Sequence, residues 1–251
     1  MAGGIVKERP FAFTLIGIGA ATAAAHIGNN FTTYLVGGLI DRFGFSPFQM
    51  GAWNMAETLS YAAAMFLIAP RARRMDGRLL AIIATALVAL AQLGSAFTGD
   101  YTLLFLGRIG TGLGFGIMNS AVNLAAGRTE HPARWISLGI AFQTVLYTLF
   151  AIGVPMVGAR FGVAGMFIGL AALAVLLGLL ALFLPGGTDL ARGEETPAPN
   201  GPIGGEGLRI LAAMALFTFG SLALWPFIER TATPLAFRRP GSGRSRAWPL
   251  P

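Results

Sequence analysis

Long apolar runs separated by short polar segments constrain the fold of this chain more than any other feature. Seven such runs occur, at residues 11–37, 48–69, 79–98, 101–125, 137–158, 163–184 and 208–228. A helix of about twenty apolar residues spans the hydrocarbon core of a bilayer, because each residue advances about 1.5 Å along the helix axis. The sequence therefore predicts an all-α fold, a polytopic transmembrane helix bundle.

The composition supports this interpretation and narrows the functional classes. Hydrophobic residues make up 55% of the chain and charged residues 12%, and this charged share is about half that of soluble domains. There is no cysteine, and the two histidines, His26 and His131, form no H-x-x-x-H pair. The sequence contains no nucleophile elbow, phosphate-binding loop or cluster of metal ligands. We therefore expect no metal site, no cofactor and no enzymatic activity.

The basic residues predict an orientation in the membrane. The net charge is +7, with 18 lysines and arginines. Most of these lie outside the apolar runs, in short segments, which argues against nucleic acid as a partner. Eight lie in the segments that one side of the membrane would share, at 1–10, 70–78 and 126–136. Two lie in the segments of the other side, at 38–47, 98–101 and 159–162. Because cytoplasmic loops are enriched in Lys and Arg, we predict a multi-pass protein of the inner cell membrane with its N-terminus in the cytoplasm.

The apolar runs divide the chain into five regions. These are a cytoplasmic N-terminus at 1–10, a six-span bundle at 11–185, a cytoplasmic Gly/Pro-rich linker at 186–207, a seventh span at 208–228 and an Arg/Pro-rich tail at 229–251. The first apolar run is too long for the h-region of a signal peptide and ends in no small-residue cleavage site. We therefore predict that it is retained as a membrane span.

The fourth run carries an unusual polar face. On a helix, five of its residues would share that face: Arg108, Gly112, Gly116, Asn119 and Asn123. An arginine in hydrocarbon costs several kcal/mol, so this face should contact protein or water and not lipid. Glycines four residues apart let a second helix backbone approach closely. We therefore predict that another element packs tightly against this face.

Other spans hold polar residues with two possible roles each. Glu57 is the one carboxylate placed deep in a predicted span; it would suit proton coupling, or it would form a structural hydrogen bond to a neighbouring helix. His26, Asn30 and Tyr34 share a face of the first span, and Gln143 lies in the fifth. These residues, with Asn119 and Asn123, would line a substrate cavity or form hydrogen bonds between helices, worth about 1 kcal/mol each.

The fourth run resembles a signature of the major facilitator superfamily of transporters. The motif of that family in its fourth span is R-x-x-x-G-x-G-x-G, and this chain has Arg108, Gly112, Gly114 and Gly116 at the four fixed positions. The order of six spans, a long linker and a further span, over about residues 10–228, resembles the N-terminal half of such a transporter with the start of its second half. The resemblance implies a central cavity lined partly by spans one and four, alternating access, and proton transfer involving Arg108.

A second motif of that family, G-x-x-x-D-R-x-G-R, is matched in part by the segment 70–78. Gly77 and Arg78 match, whereas Pro70 stands at the first glycine and Arg74 at the aspartate. A gating role that depends on the aspartate is therefore not carried over to this chain. The segment from Gly37 to Gly44 fits the spacing better but follows the first span, and we interpret it as turn chemistry.

Three functions remain open at the level of sequence. The first is secondary active transport of a small-molecule solute by alternating access, coupled to protons. Because the cavity of the family lies between two six-helix bundles, this function requires self-association or a missing C-terminal half. The second is a truncated or frameshifted transporter fragment without independent activity, as the tail at 229–251 would suggest. The third is a seven-span receptor or channel.

Overall fold

The computed structural model describes residues 10–186 and 204–228. The predicted N-terminal segment up to residue 9, linker residues 187–203 and the tail 229–251 lie outside the described residues. Within the described ranges the chain is almost entirely helical, and the all-α class is confirmed. The six α-helices of these ranges are α1 Phe11–Phe43, α2 Pro47–Ile68, α3 Gly77–Ala96, α4 Tyr101–Gly127, α5 Pro132–Ala181 and α6 Gly205–Leu224. Short 3₁₀ turns follow α2 at Ala69–Arg74 and α6 at Trp225–Phe227.

Four of the helices in the described ranges, α1, α3, α4 and α5, are long and apolar enough to cross a membrane. This finding supports the predicted membrane location. Helix α2 is not among the four, and Asn54 and Glu57 near its middle lower its hydropathy. Both of these polar side chains are buried in the bundle. The surface that α2 turns away from the bundle is therefore more apolar than the helix as a whole.

Helix α5 contains a sharp break at Gly162. Its φ of 66° and ψ of −163° lie in a region of backbone conformation that is open almost only to glycine. The break divides α5 into two segments, 132–161 and 163–181, which match the ranges predicted for two separate apolar runs. The predicted segment at 159–162 is therefore not an extended loop, because a single glycine completes the connection.

Contacts with α1 show that the chain reverses its direction at Gly162. The rings of Phe11 and Trp135 have centroids 5.1 Å apart, so the start of α5 lies beside the start of α1. The rings of Phe13 and Phe183 have centroids 5.2 Å apart, so the chain just past α5 returns to the same end. The two segments of α5 are therefore antiparallel, and both pack along α1.

Helix α1 runs six residues further than its predicted end at 37. Gly38 does not break it, because the missing side chain makes room for Val163 and Met166 of α5. The helix ends instead at Gly44, whose φ of 68° is left-handed and whose N–H donates to the carbonyl of Ile40 at 2.9 Å. Gly44 thus forms a turn, as predicted for this segment, whereas Gly37 lies inside the helix.

Short polar residues fix the starts of the next three helices. Ser46 and Gln49 form a reciprocal capping box at the start of α2. The side chain of Asp76 accepts hydrogen bonds from the first backbone N–H groups of α3, and that of Asp100 accepts from Leu103 N–H in α4. Each cap satisfies backbone donors that the first turn of a helix leaves free.

Candidate functional site

The centre of the bundle holds an ion pair between α2 and α4. Nη1 of Arg108 lies 2.8 Å from Oε2 of Glu57. Arg108 is 2% exposed and Glu57 is 3% exposed, so water screens neither charge. The two residues that the sequence singles out for proton coupling are therefore direct partners, and α2 is the element that packs against the polar face of α4.

Two threonines extend the pair to a third helix. The hydroxyl of Thr111 donates to Oε2 of Glu57 at 2.9 Å and also lies 2.9 Å from the carbonyl oxygen of Arg108. The guanidinium of Arg108 donates through Nη2 to the hydroxyl of Thr32 on α1, which in turn donates to the carbonyl of Gly28. The charged pair thus lies where α1, α2 and α4 meet.

An aromatic ring covers the arginine. Cζ of Arg108 is 3.9 Å from the ring centroid of Trp53, which lies one helical turn before Glu57 on α2. Nε1 of Trp53 donates to the carbonyl of Leu104 at 3.1 Å. The indole therefore contributes a cation–π contact to Arg108 and a hydrogen bond to the backbone of the same helix.

The motif glycines of α4 explain how the helices approach so closely. A Cβ on Gly112 would meet the backbone of Glu57, and one on Gly116 would meet the backbone of Tyr61, both on α2. Gly114 faces the other way, and a Cβ there would meet Val88 of α3. Two sides of α4 are therefore in close contact with α2 and α3, so α4 cannot move without displacing one of them.

The cavity candidates of α1 form hydrogen bonds within their own helix. Nδ1 of His26 lies 2.8 Å from the carbonyl oxygen of Thr22, and Nδ2 of Asn30 donates to the carbonyl of His26 at 2.9 Å. Tyr34 stacks on Phe31, with ring centroids 6.4 Å apart. All three predicted residues are half-buried, so part of each side chain is exposed.

The remaining candidates are dispersed over the bundle. Nδ2 of Asn119 donates to Sδ of Met65 at 3.4 Å, which extends the α2–α4 contact along the predicted face. Asn123 is exposed and Gln143 on α5 is half-buried. The structure therefore brings Asn119 into line with Arg108 and the motif glycines, whereas Gln143 lies on a different helix from that face.

The two matching residues of the loop motif have structural contacts. Gly77 is the first residue of α3, and its Cβ position lies 3.4 Å from the carbonyl oxygen of Ala121 on α4. Nε of Arg78 donates to the carbonyl of Leu184 at 2.9 Å, which joins α3 to the chain that leaves α5. Nη2 of Arg128 similarly donates to the carbonyl of Met75 at 3.0 Å.

Sequence reasoning did not identify Thr32 or Thr111 as parts of the site. Thr111 lies three residues after Arg108, so its position on the same helical face was a usable signal. Thr32 gave no such signal, because threonines in membrane helices commonly donate to the carbonyl four residues earlier, as Thr32 also does. Its second contact, to Arg108, depends on how α1 packs.

Within the described ranges no group of three or more His, Asp or Glu side chains could hold a metal ion. No protein-family model matches this sequence, and no curated protein matches it. The buried ion pair and the three helices that hold it are therefore the features from which a function can be inferred.

Proposed function

We propose that this chain forms the six-span bundle of a secondary active transporter similar to those of the major facilitator superfamily, which moves a small-molecule solute across a cell membrane by alternating access with proton coupling. The observation that supports this proposal most strongly is the buried ion pair of Glu57 and Arg108. Ionisable side chains inside membrane bundles are costly and mark ion or proton pathways.

The mechanism uses Glu57 as the proton-binding group. A proton that enters from one side neutralises the carboxylate and removes its attraction for Arg108. The guanidinium then keeps its hydrogen bond to Thr32 on α1, and the ring of Trp53 becomes its one remaining contact with α2 among those described above. The altered contact between α2 and α4 favours the opposite opening of the bundle, from which the proton leaves Glu57 toward the other side.

The proposed topology has six spans before the linker and an N-terminus in the cytoplasm. The two antiparallel segments of α5 supply spans five and six, and α2 counts as a span because its polar side chains are turned inward. The second wall of the solute cavity comes from another bundle, either a second copy of this chain or a further six-span unit. The half-buried side chains of His26, Asn30 and Tyr34 would then face the solute.

Proton binding at Glu57 is testable through Trp53, because the indole contacts Arg108. In a variant with Trp135, Trp225 and Trp248 replaced by Phe, Trp53 is the single tryptophan of the chain. We expect its fluorescence to change with pH in one transition that Glu57→Gln abolishes and that Glu130→Gln in the exposed loop leaves unchanged. A pH response that persists in Glu57→Gln would contradict the proposed proton site.

Alternating access is testable by cysteine labelling, since the chain has no native cysteine. Tyr34→Cys and Asn123→Cys should react with a membrane-impermeant maleimide from both sides of oriented vesicles, because each opening exposes the cavity to one side. Leu35→Cys, at a side chain that is 1% exposed, is the unreactive control. Labelling from one side only would contradict alternating access and would favour a static receptor bundle.

A further inference from the structure

A groove of about 210 Å³ lies between the two segments of α5, beside the reversal at Gly162. Its walls include Phe150, Val154 and Val157 of the first segment and Met166, Leu170 and Leu173 of the second. None of the buried ionisable side chains takes part. The groove therefore lies apart from the ion-pair site and requires its own explanation.

The lining of the groove excludes water as a stable occupant. Every lining residue is apolar or glycine, whereas an ordered water needs two to four polar partners. Empty apolar cavities of comparable size instead take up apolar molecules. In a bundle whose helices cross a membrane, the apolar molecule at hand is a lipid chain.

The groove, together with the helical turn that leads from it to Arg160, spans about one leaflet of a bilayer. On the first segment of α5 the groove lining ends at Val157, and from Phe150 to Arg160, one turn further, this segment rises about 15 Å. This distance is about half of the ~30 Å hydrocarbon core, which is the depth that one acyl chain occupies. An acyl chain that starts at the level of Arg160 would therefore end near Phe150.

A basic side chain lies one helical turn past the groove lining. Arg160 follows Gly153 by seven residues and Val157 by three, so it falls on the same stripe of the helix as these two lining residues. Arg160 is exposed, and Cζ lies 5.6 Å from the ring centroid of Phe161. In the part of the chain that the structure describes, Arg160 forms no ion pair. Guanidinium groups bind phosphate with two parallel hydrogen bonds, so its charge suits a lipid phosphate.

We propose that this groove binds one acyl chain of a phospholipid whose phosphate pairs with Arg160. The lipid would fill the space between the two segments of α5 and hold them in one relative position. The site is independent of the proposed transport function, because it requires only that the bundle lies in a membrane.

Native mass spectrometry of the full chain, purified in a mild detergent, tests the proposal. We expect one phospholipid to remain bound per chain. After delipidation, dioleoylphosphatidylglycerol should bind more tightly than dioleoylglycerol, which has the same acyl chains and no phosphate. Arg160→Gln should weaken phosphatidylglycerol binding about fivefold, the effect of one arginine near a lipid surface. Arg134→Gln, at the exposed start of α5, is the matched control and should bind normally.

Filling the groove tests the acyl-chain part of the site. A Cβ on Gly153 would meet no atom within 4 Å, and one on Gly169 would meet only Val157 at 3.8 Å, so Gly153→Leu and Gly169→Leu enter open space and preserve the fold. Both variants should lose the bound lipid, whereas Ala141→Leu at an exposed position should keep it. Far-UV circular dichroism and thermal unfolding verify that each variant is folded.

Four results would contradict the proposal. The unmodified chain could retain no phospholipid, or Arg160→Gln and both filling variants could retain as much as the unmodified chain. Alternatively, the chain could be a dimer without bound lipid. If Gly153→Leu dissociated that dimer and Arg160→Gln did not, the occupant of the groove would be a second copy of the chain. Equal binding of phosphatidylglycerol and the diglyceride would contradict the role of the phosphate.

Discussion

The guanidinium of Arg108 lies over the indole ring of Trp53, and the same indole donates its N–H to the carbonyl of Leu104, one turn earlier on α4. Trp53 is therefore fixed to the helix that carries the arginine it covers. Together with the carboxylate of Glu57, this gives α2 two separate contacts with Arg108, one with its charge and one with its planar face. The two contacts predict different effects when each is removed.

Substitutions of Trp53 should separate its hydrogen bond from its ring contact. Trp53→Phe keeps an aromatic face over Arg108 and loses the N–H, so we expect a loss of about 1 kcal/mol in the free energy of unfolding. Trp53→Leu removes the cation–π contact and leaves a cavity, and should cost about 3–5 kcal/mol. Reversible unfolding in mixed detergent measures both values. Equal losses would show that the ring contact contributes nothing.

The ion pair should show strong coupling in a double-mutant cycle. Glu57→Gln leaves the buried charge of Arg108 without its partner, and Arg108→Gln leaves that of Glu57. Each single variant should lower the free energy of unfolding by about 3–5 kcal/mol. The double variant should cost less than the sum by about 1–3 kcal/mol. The matched cycle on the exposed residues Glu130 and Arg134 should show no coupling beyond about 0.5 kcal/mol. Additive losses at Glu57 and Arg108 would mean that the pair does not persist in solution.

The close approach of α2 and α4 should make Gly112 intolerant of a methyl group. Gly112→Ala places a Cβ against the backbone of Glu57, and we expect a loss of about 1–3 kcal/mol because two backbones must move apart. Gly51→Ala on α2 is the control, since a Cβ there meets nothing within 4 Å. Gly51→Ala should leave the stability unchanged or raise it by up to about 1 kcal/mol, because alanine is more favourable than glycine inside a helix. Thermal unfolding of the two variants compares their stabilities directly. If Gly112→Ala destabilised the chain no more than Gly51→Ala, the close packing of α2 against α4 would be contradicted.

The reversal in α5 should depend on glycine at position 162. Its backbone conformation is nearly closed to residues with a side chain, so Gly162→Ala should cost about 1–3 kcal/mol through strain alone. No atom lies within 4 Å of its Cβ position, so a steric clash cannot account for such a loss. Gly153→Ala in the regular part of α5 should not destabilise the chain. The same measurement of unfolding free energy distinguishes the two, and a neutral Gly162→Ala would show that the chain turns differently.

Hydrophobic patterning predicted where the helices lie better than where they end. The apolar runs correspond to α1–α5, and the boundary between the fifth and sixth runs falls next to Gly162. The predicted end of α1 at residue 37 was wrong because the segment that begins at Gly38 was interpreted as a helix-breaking loop. In the structure Gly38 is a packing position against α5, and that role depends on a helix more than a hundred residues away in the chain.

The site was predictable in its residues but not in its contacts. The cost of an arginine in hydrocarbon was enough to predict that Arg108 has a partner, and the glycine spacing indicated which face would hold it. The partner is Glu57 because α2 packs on α4. This could not be predicted, since no local sequence pattern indicates which membrane helices are neighbours. Thr32 was missed for the same reason, since its contact with Arg108 requires α1 to join them.

The packing of α1 against α5 has a consequence for how the chain is made. The hydroxyl of Tyr147 donates to the carbonyl of Ala23, across 124 residues of sequence. A ribosome adds about 5–20 residues per second, so α1 leaves it roughly 6–25 s before this partner exists. During that interval the polar side chain of Thr22 on α1, which packs against Gly139, has no α5 to cover it. We therefore expect the first helix to enter the membrane without its partner and to pack against the fifth only after that helix has been made.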